Sequence, residues 1–213
     1  MVEKNREFES EDVQNRLLDA AEALFCKKGL DGVSVRELTA AAGCNLAAVN
    51  YYFGGKENLY TEMFRRQFQM MIQGHLNTID RVMSESDVSL EKLLKAIIEP
   101  PVRGAANNET KGQVLKLLVR EVLDQKIDPE YVVKDMKEKF FDRIGHAFME
   151  IVPDLPEDKI TLVVMSFDGV ILHPFLFMDF YQKTIPDLTI DGLIDHMVRF
   201  VAAGIRGYAS PDQ

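Results

Sequence analysis

Tryptophan is absent from this chain, and cysteine occurs only at Cys26 and Cys44. Two cysteines make no disulfide framework and show no metal-ligand spacing, so both read as small packing groups in a reducing, cytoplasmic setting. The common chemical signatures are missing as well: there is no His-Glu-x-x-His, Glu-x-x-His, Gly-x-Ser-x-Gly or phosphate-loop pattern. Their absence argues against an enzyme, and neither a cofactor nor a metal is expected. A basic excess is lacking too. With 25 Lys and Arg against 34 Asp and Glu, the chain carries −9 at neutral pH, which excludes a protein that coats nucleic acid by charge alone. The opening MVEKNREFESED has no apolar signal region, so a frayed tail is expected there rather than an export signal. Repeats and low-complexity segments are absent.

What is present is apolar residues at helical spacing, which predicts an all-α chain. The stretch SVRELTAAAGCNLAAVNYYF, residues 34–53, organises it. Ser34 followed by Glu37 is a capping box, in which each side chain satisfies a backbone N–H at a helix start. Gly43 supplies the residue able to turn through positive φ where that helix stops. Asn45 suits the N-cap of a second helix. Leu38, Ala42, Cys44, Val49 and Tyr52 are expected to form one small core, leaving Asn45, Leu46, Ala48, Asn50 and Tyr51 free to enter a major groove. Val13, Leu17, Ala20, Ala21, Leu24 and Phe25 predict a supporting helix over 13–29. Within residues 13–66, seven cations (16, 27, 28, 36, 56, 65, 66) face six acids (19, 22, 31, 37, 57, 62), a balance of +1. The acid is therefore concentrated elsewhere.

AAGCNLAAVNYYFGGKENLY resembles the DNA-binding segment of the TetR family of bacterial transcriptional regulators, including Tyr52-Phe53 and the Lys56-Glu57 that opens the next helix. The resemblance covers residues 13–60, and NLAAVNYYFGGKE looks most like the CecR-like branch. Many relatives carry a Ser-Lys-Gly-Thr type of start where this chain has Asn45-Leu46-Ala47-Ala48, so a basic residue is missing from the groove-facing helix. The resemblance implies a homodimer, a helix from residue 56 that transmits ligand binding to the DNA-reading heads, and repression. On this reading residues 10–55 form a three-helix helix-turn-helix unit, joined to a larger helical effector-binding and dimerisation domain over 56–209.

Downstream, Tyr60, Phe64, Phe68, Met71, His75 and Ile79 predict a helix over 56–83, with His75 a core histidine. Leu90 to Ile98 predict a helix stopped by Pro100-Pro101, followed by a loop over 104–112. Further helices are expected over 114–122 and from Asp128-Pro129 to Met149. LVVMSFDGVILHPFLFM, residues 162–178, is apolar on nearly every face. Asp168, His173 and Pro174 interrupt it and no second span follows, so a membrane helix is not expected. Such a helix is buried all round, one face on its own domain and one on a second subunit. The last helix, Thr189 to Tyr208, offers Ile190, Ile194, Met197, Val201 and Ile205 as a stripe, with Ala202, Ala203 and Gly204 allowing close approach in a four-helix interface.

These readings converge on a homodimer that binds a double-stranded DNA operator and a small-molecule effector. Ser34, Arg36, Asn45, Leu46, Ala48, Asn50, Tyr51, Tyr52 and Lys56 are the DNA candidates. For the effector, Phe64, Phe68, Met71, Met165, Phe167, Phe175 and Phe177 are expected to give adaptable walls, with Asp168, His173, Arg103 and Arg120 as polar groups. Two other readings stay open: acid–base or metal chemistry by Asp168, His173 and His146, and a helical interaction protein that turns its hairpin to a protein partner.

Overall fold

The structure, a computed structural model, describes residues 2–107 and 136–209, with Lys116, Val119 and Glu121 between them. Every element is helical, and among the described residues there is no strand. In order these are α1 (Val2–Lys28), α2 (Val35–Ala42), α3 (Ala48–Phe53), α4 (Lys56–Met83), α5 (Leu90–Ala106), a π-helical segment (Met136–Phe141), α6 (Asp142–Ile151), a 3-10 turn (Glu157–Lys159), α7 (Ile160–Thr184) and α8 (Ile190–Ala209). The chain divides into two compact units, Met1–Met70 and Met71–Gln213. The division falls within α4, whereas the sequence suggested 55/56. It does so because Leu59, Tyr60, Met63 and Phe64, all in the first half of α4, are buried core residues.

In the first unit, α1 presents Leu17, Ala21 and Phe25, each fully buried at helical spacing. Phe25 meets Tyr60 edge-on at 4.9 Å, and Tyr60 meets Phe64 likewise at 4.8 Å. Burying a side chain of this size contributes roughly 1.5–3 kcal/mol, so this cluster outweighs any cap or surface ion pair in holding α1 to α4. The helix begins at Val2, which replaces the expected frayed tail with more α1.

The core of the second unit comes from α5 (Leu93, Leu94, Ile97, Ile98, Val102), α6 (Ile144, Ala147, Phe148), α7 (Val164, Phe167) and α8 (Leu193, Ile194, Met197, Ile205). His75 lies within this unit, its ring 5.1 Å from that of Phe140, and burial lowers its pKa. Pro100 and Pro101 do not stop α5; both lie inside it. Each proline removes a backbone donor, but Val102 and Ala105 continue the buried stripe that runs through Leu94 and Ile98, so burial outweighs the local penalty. The expected loop therefore starts later than Gly104. The helices expected over 114–122 and from Asp128-Pro129 lie outside the described residues for most of their length. The latter's end is seen at Ile151.

One expectation about the last helices is corrected, in α8. α7 turns Val163, Val164, Phe167 and Met178 to the core of this chain and leaves Leu162, Met165, Phe177 and Phe180 exposed, on the side that the sequence assigned to a second subunit. It also bends where Phe177 leaves helical geometry (φ −122°, ψ 26°), three residues after Pro174. In α8, Ile194, Met197, Val201, Ala202 and Ile205 are core of this same chain, and Phe200, Ala203, Gly204, Gly207 and Tyr208 form the outward stripe. Among the described residues no single helix is long and apolar enough to cross a membrane.

Candidate nucleic-acid interface

Helix α2 is fixed by its termini. Glu37 N donates to Ser34 Oγ at 3.2 Å, and Ser34 N donates to Glu37 Oε2 at 2.9 Å, completing the capping box. Lys28 Nζ donates to Glu37 Oε1 at 2.6 Å and ties this cap to the end of α1. The Lys28 hydrogen bond, helped by those from Ser34, holds the Glu37 carboxyl down at about 2. The cap is thus ionised at any pH near neutral. Ser34→Ala removes the acceptor for one helix-start N–H and should lower the melting stability of the first unit by about 1 kcal/mol. Thermal unfolding checks this, and a change within error would show that Glu37 alone carries the cap.

At the other end Gly43 takes φ 62°, ψ 40°, its N–H donating to Ala40 O, while Cys44 N donates to Thr39 O at 3.0 Å. This left-handed residue satisfies the last carbonyls and turns the chain towards α3. Asn45 is not the N-cap. Its carbonyl accepts Ala48 N at 3.1 Å across a non-helical turn, and α3 begins only at Ala48, preceded by Ala47 without a side-chain cap.

That later start decides which side chains face outwards. Val49 is 0% exposed and Ala48 is buried beside it, so Ala48 leaves the groove-facing set. Asn45, Leu46, Ala47 and Asn50 are exposed, and Tyr51 is 81% exposed. Ala47 was missed. The signal was the i, i+4 step from Ala48 to the half-buried Tyr52, which puts those two on the inner face and Ala47 on the outer. Tyr51 and Tyr52 meet edge-on at 4.9 Å. Beneath them Leu38, Ala42 and Val49 are buried, with Cys44 and Tyr52 partly so. The Cys26 thiol, in the same unit, is pushed up to about 11 by burial and then by Glu22. It is protonated near neutrality, as a packing cysteine should be.

The cations of this unit are mostly engaged. Arg66 pairs with Asp19 at 2.7 Å, Arg65 with Glu62, and Lys28 with Glu37. Lys56, expected to face phosphate, instead donates its Nζ to Leu30 O at 3.0 Å and Val33 O at 3.1 Å. Ser34 is committed to its cap. Arg36 and Lys27 are exposed and, among the described residues, have no ion pair.

The effector candidates fall in different places. Phe64 and Phe68 are buried in the first unit; Met71 is half-buried at the start of the second. Phe167 is core, its ring 5.7 Å from Phe148, and Met165 and Phe177 are exposed. His173 Nδ1 lies 3.0 Å from Tyr181 Oη, and its ring lies 4.9 Å from that of Phe177, so α7 brings these three together. Phe175 is also carried by α7. Arg103 does not turn inwards: Glu99 at 2.7 Å and Asp191 hold it at the surface. Arg120 lies outside the described residues. Asp168 has no hydrogen-bond or ion-pair partner among the described residues, and burial raises its carboxyl to about 6. His146 is exposed, and no group of three His, Cys, Asp or Glu able to hold a metal occurs among the described residues.

The described geometry agrees with comparisons against known proteins. The family model "Bacterial regulatory proteins, tetR family" matches residues 17–63. The curated protein named "Probable HTH-type transcriptional regulator YttP", from Bacillus subtilis, is 26% identical over 127 residues, 57% of this chain and 58% of that protein. The HTH-type transcriptional dual regulator CecR of Shigella flexneri is 44% identical over 53 residues, 25% of this chain and 23% of its own. The chain thus spans less than two thirds of the length of the curated relatives it matches. Among solved structures, FadR from Bacillus subtilis in complex with stearoyl-CoA aligns with a TM-score of 0.65 at 16% identity, over 89% of this chain and 98% of that one. AibR in complex with isovaleryl coenzyme A and operator DNA aligns at 0.61 and 20%, over 88% and 97%. At these identities the likeness is one of fold. Residues 17–63, with a capped α2, a left-handed turn at Gly43 and a short α3 facing outwards, thus match the model of the tetR family of bacterial regulatory proteins, in a chain whose fold is like that of solved TetR-like regulators.

Proposed function

We propose that the protein is a cytoplasmic, homodimeric transcriptional regulator of this family, with a reading head of the CecR-like kind. Two copies of α3 enter successive major grooves of a near-palindromic duplex, whose half-sites lie roughly 34–36 Å apart or a multiple of it. One observation carries this reading: Asn50 and Tyr51 are exposed on a helix whose opposite side, Ala48 and Val49, is locked in the core, and Asn45 and Leu46 are exposed on the turn that leads into it. Asn50 and Asn45 are the base-edge readers, since an amide can donate and accept at once. Arg36 and Lys27 are the cations free for phosphate, and the exposed Tyr51 is a further candidate.

Repression is the sign of regulation supported by a relative's name, the HTH-type transcriptional repressor AcnR of Corynebacterium glutamicum. The effector is a small molecule with an apolar body and one polar or charged end, bound in the second unit. FadR and AibR, both of the same fold, have been solved in complex with stearoyl-CoA and isovaleryl coenzyme A, which are of that chemistry. Such a ligand must bind the DNA-incompetent state more tightly than the competent one, since equal affinity shifts no population.

The test starts from a random-sequence duplex pool from which wild-type protein enriches its preferred duplex. Asn50→Ala should lower the preference for that duplex over a scrambled one by roughly ten- to hundredfold, the worth of one good amide–base pair, and leave scrambled binding unchanged. Equal wild-type affinity for enriched and scrambled DNA sinks site-specific reading. Release of the enriched duplex by an acyl-CoA, and not by coenzyme A alone, is the expected effector result.

A further inference from the structure

We propose that Arg16 and Lys56 are positioning residues that clamp the two ends of α2 and thereby set where α3 points; the proposal rests on α3 being the DNA-reading helix. The sequence suggested Lys56 as a phosphate ligand and no role for Arg16. The geometry assigns them inward work.

Arg16 comes from α1 and reaches the far end of α2. Its Nη1 donates to Ala42 O at 2.7 Å and to Gly43 O at 3.3 Å, while Nε donates to Asp12 at 3.0 Å. The carbonyls at a helix C-terminus are short of donors and carry the negative end of the helix dipole, so a forked cation suits them. These two carbonyls flank the residue at which the chain turns through positive φ. A Cβ added at Gly43 would meet Arg16 Nη1 at 3.3 Å, so the guanidinium lies directly on the turn. From Gly43 only the short turn at residues 44–47 leads to α3, so little chain is available to absorb a change of direction.

Lys56 holds the other end. It is the first residue of α4, where the positive end of that helix's dipole disfavours a cation. Its Nζ is satisfied by Leu30 O and Val33 O, the latter immediately before the Ser34 cap. The loop that leads into the Ser34 cap is thus pinned to the start of α4. With Lys28 on Glu37, three cations from the flanking helices bind α2 and its approach.

The two roles differ in a measurable way. A phosphate ligand weakens enriched and scrambled duplexes alike and takes about 0.9 off the slope of log affinity against log salt. A positioning residue lowers preference and leaves the slope as it was. Arg16→Met, Arg16→Lys and Lys56→Met are to be made in the full chain, using the duplex enriched by wild-type protein and its scrambled counterpart over a salt series. We expect each Met variant to lose roughly ten- to hundredfold in preference, as when one base contact goes out of register, with the wild-type slope retained. Arg16→Lys keeps the charge but serves one carbonyl, and should fall between. Amide exchange in the DNA-free protein gives the independent reading: Gly43 and Cys44 should exchange faster in Arg16→Met, and Val33 and Ser34 in Lys56→Met.

Unchanged exchange at those amides overturns the clamp even where DNA reading stands. So does a slope reduced by about one, or a preference equal to wild type. Faster exchange in a protein that enriches no duplex keeps the mechanical contacts but removes the DNA role, and the proposal falls with the functional reading. Should Arg16→Met fail to fold, Arg16→Lys decides by the same slope and preference.

Discussion

Gly204→Glu is expected to yield monomers in sedimentation and to weaken binding to a two-half-site duplex by about a hundredfold or more, the scale on which linking two binding heads raises avidity. The substitution is mild for the protomer itself. Gly204 lies on the outward stripe of α8, and a Cβ placed there meets nothing within 4 Å. Around it Ala203 and Gly207 are small, and Phe200 and Tyr208 are large apolar residues left 63% and 49% exposed. Small residues between two aromatic rings let a second helix approach closely, and the symmetry of a two-fold interface would set each new carboxylate against its mate. Leu162, Met165 and Phe180 of α7 leave further apolar surface uncovered, as expected where a partner buries it at roughly 25 cal/mol per Å². Val201→Glu makes the contrast. Although its spacing suggested the same interface, Val201 is 7% exposed and belongs to the protomer's core. That variant should melt early rather than dissociate cleanly. Dimers that persist in Gly204→Glu would place the interface elsewhere.

Asp168→Asn should raise stability near pH 7 by about 2–3 kcal/mol, with the gain vanishing towards pH 4. The sign follows from proton binding. Burial raises the folded carboxyl to about 6 from an ordinary value of 3.8, so between these values the folded protein holds a proton that the unfolded chain has released. Stability therefore falls as pH rises from about 4 to about 6, and stays at the lower level above it. Asparagine, uncharged throughout, escapes that loss. Melting curves of both proteins between pH 4 and 8 give the measurement. Parallel curves would mean that the Asp168 charge is compensated, and so would a wild type that gains stability through pH 6. An effector whose polar end engages this carboxylate would act on the same free energy, which gives an acid that lowers stability a reason to be there.

Local chemistry was legible in the sequence where it is self-contained. Ser34, Glu37 and Gly43 make their bonds within a few residues, and the structure shows those bonds. Lys28 on Glu37, Arg16 on Ala42 and Lys56 on Leu30 and Val33 join residues far apart in the chain, so no spacing rule announces them. Ala48 went to the wrong face because the second helix was started at Asn45, and a non-helical turn of two or three residues rotates everything after it. Pro100-Pro101 misled in another way: propensity reads the backbone alone, whereas Val102 at 0% exposure records a tertiary demand that overrides it. Arg103 was expected to seek a partner inwards, yet Asp191, 88 residues on, meets it at the surface. The all-helical class needed only periodicity, whereas the division into two parts was what the family resemblance implied. Which face of α7 and α8 is covered needed the packing.

The Tyr51–Tyr52 contact has an optical consequence. Tyrosines emit weakly and are usually hidden beneath indole fluorescence, but this chain has no indole, so its ultraviolet emission is that of six phenols. Tyr60 is shut into a cage of Phe25 and Phe64, whereas Tyr51 stands in solvent on the short helix next to its neighbour's ring. The surface proposed to read DNA thus carries a chromophore pair of its own, and on that reading a base or phosphate arriving there should change the light the protein gives off without any dye attached.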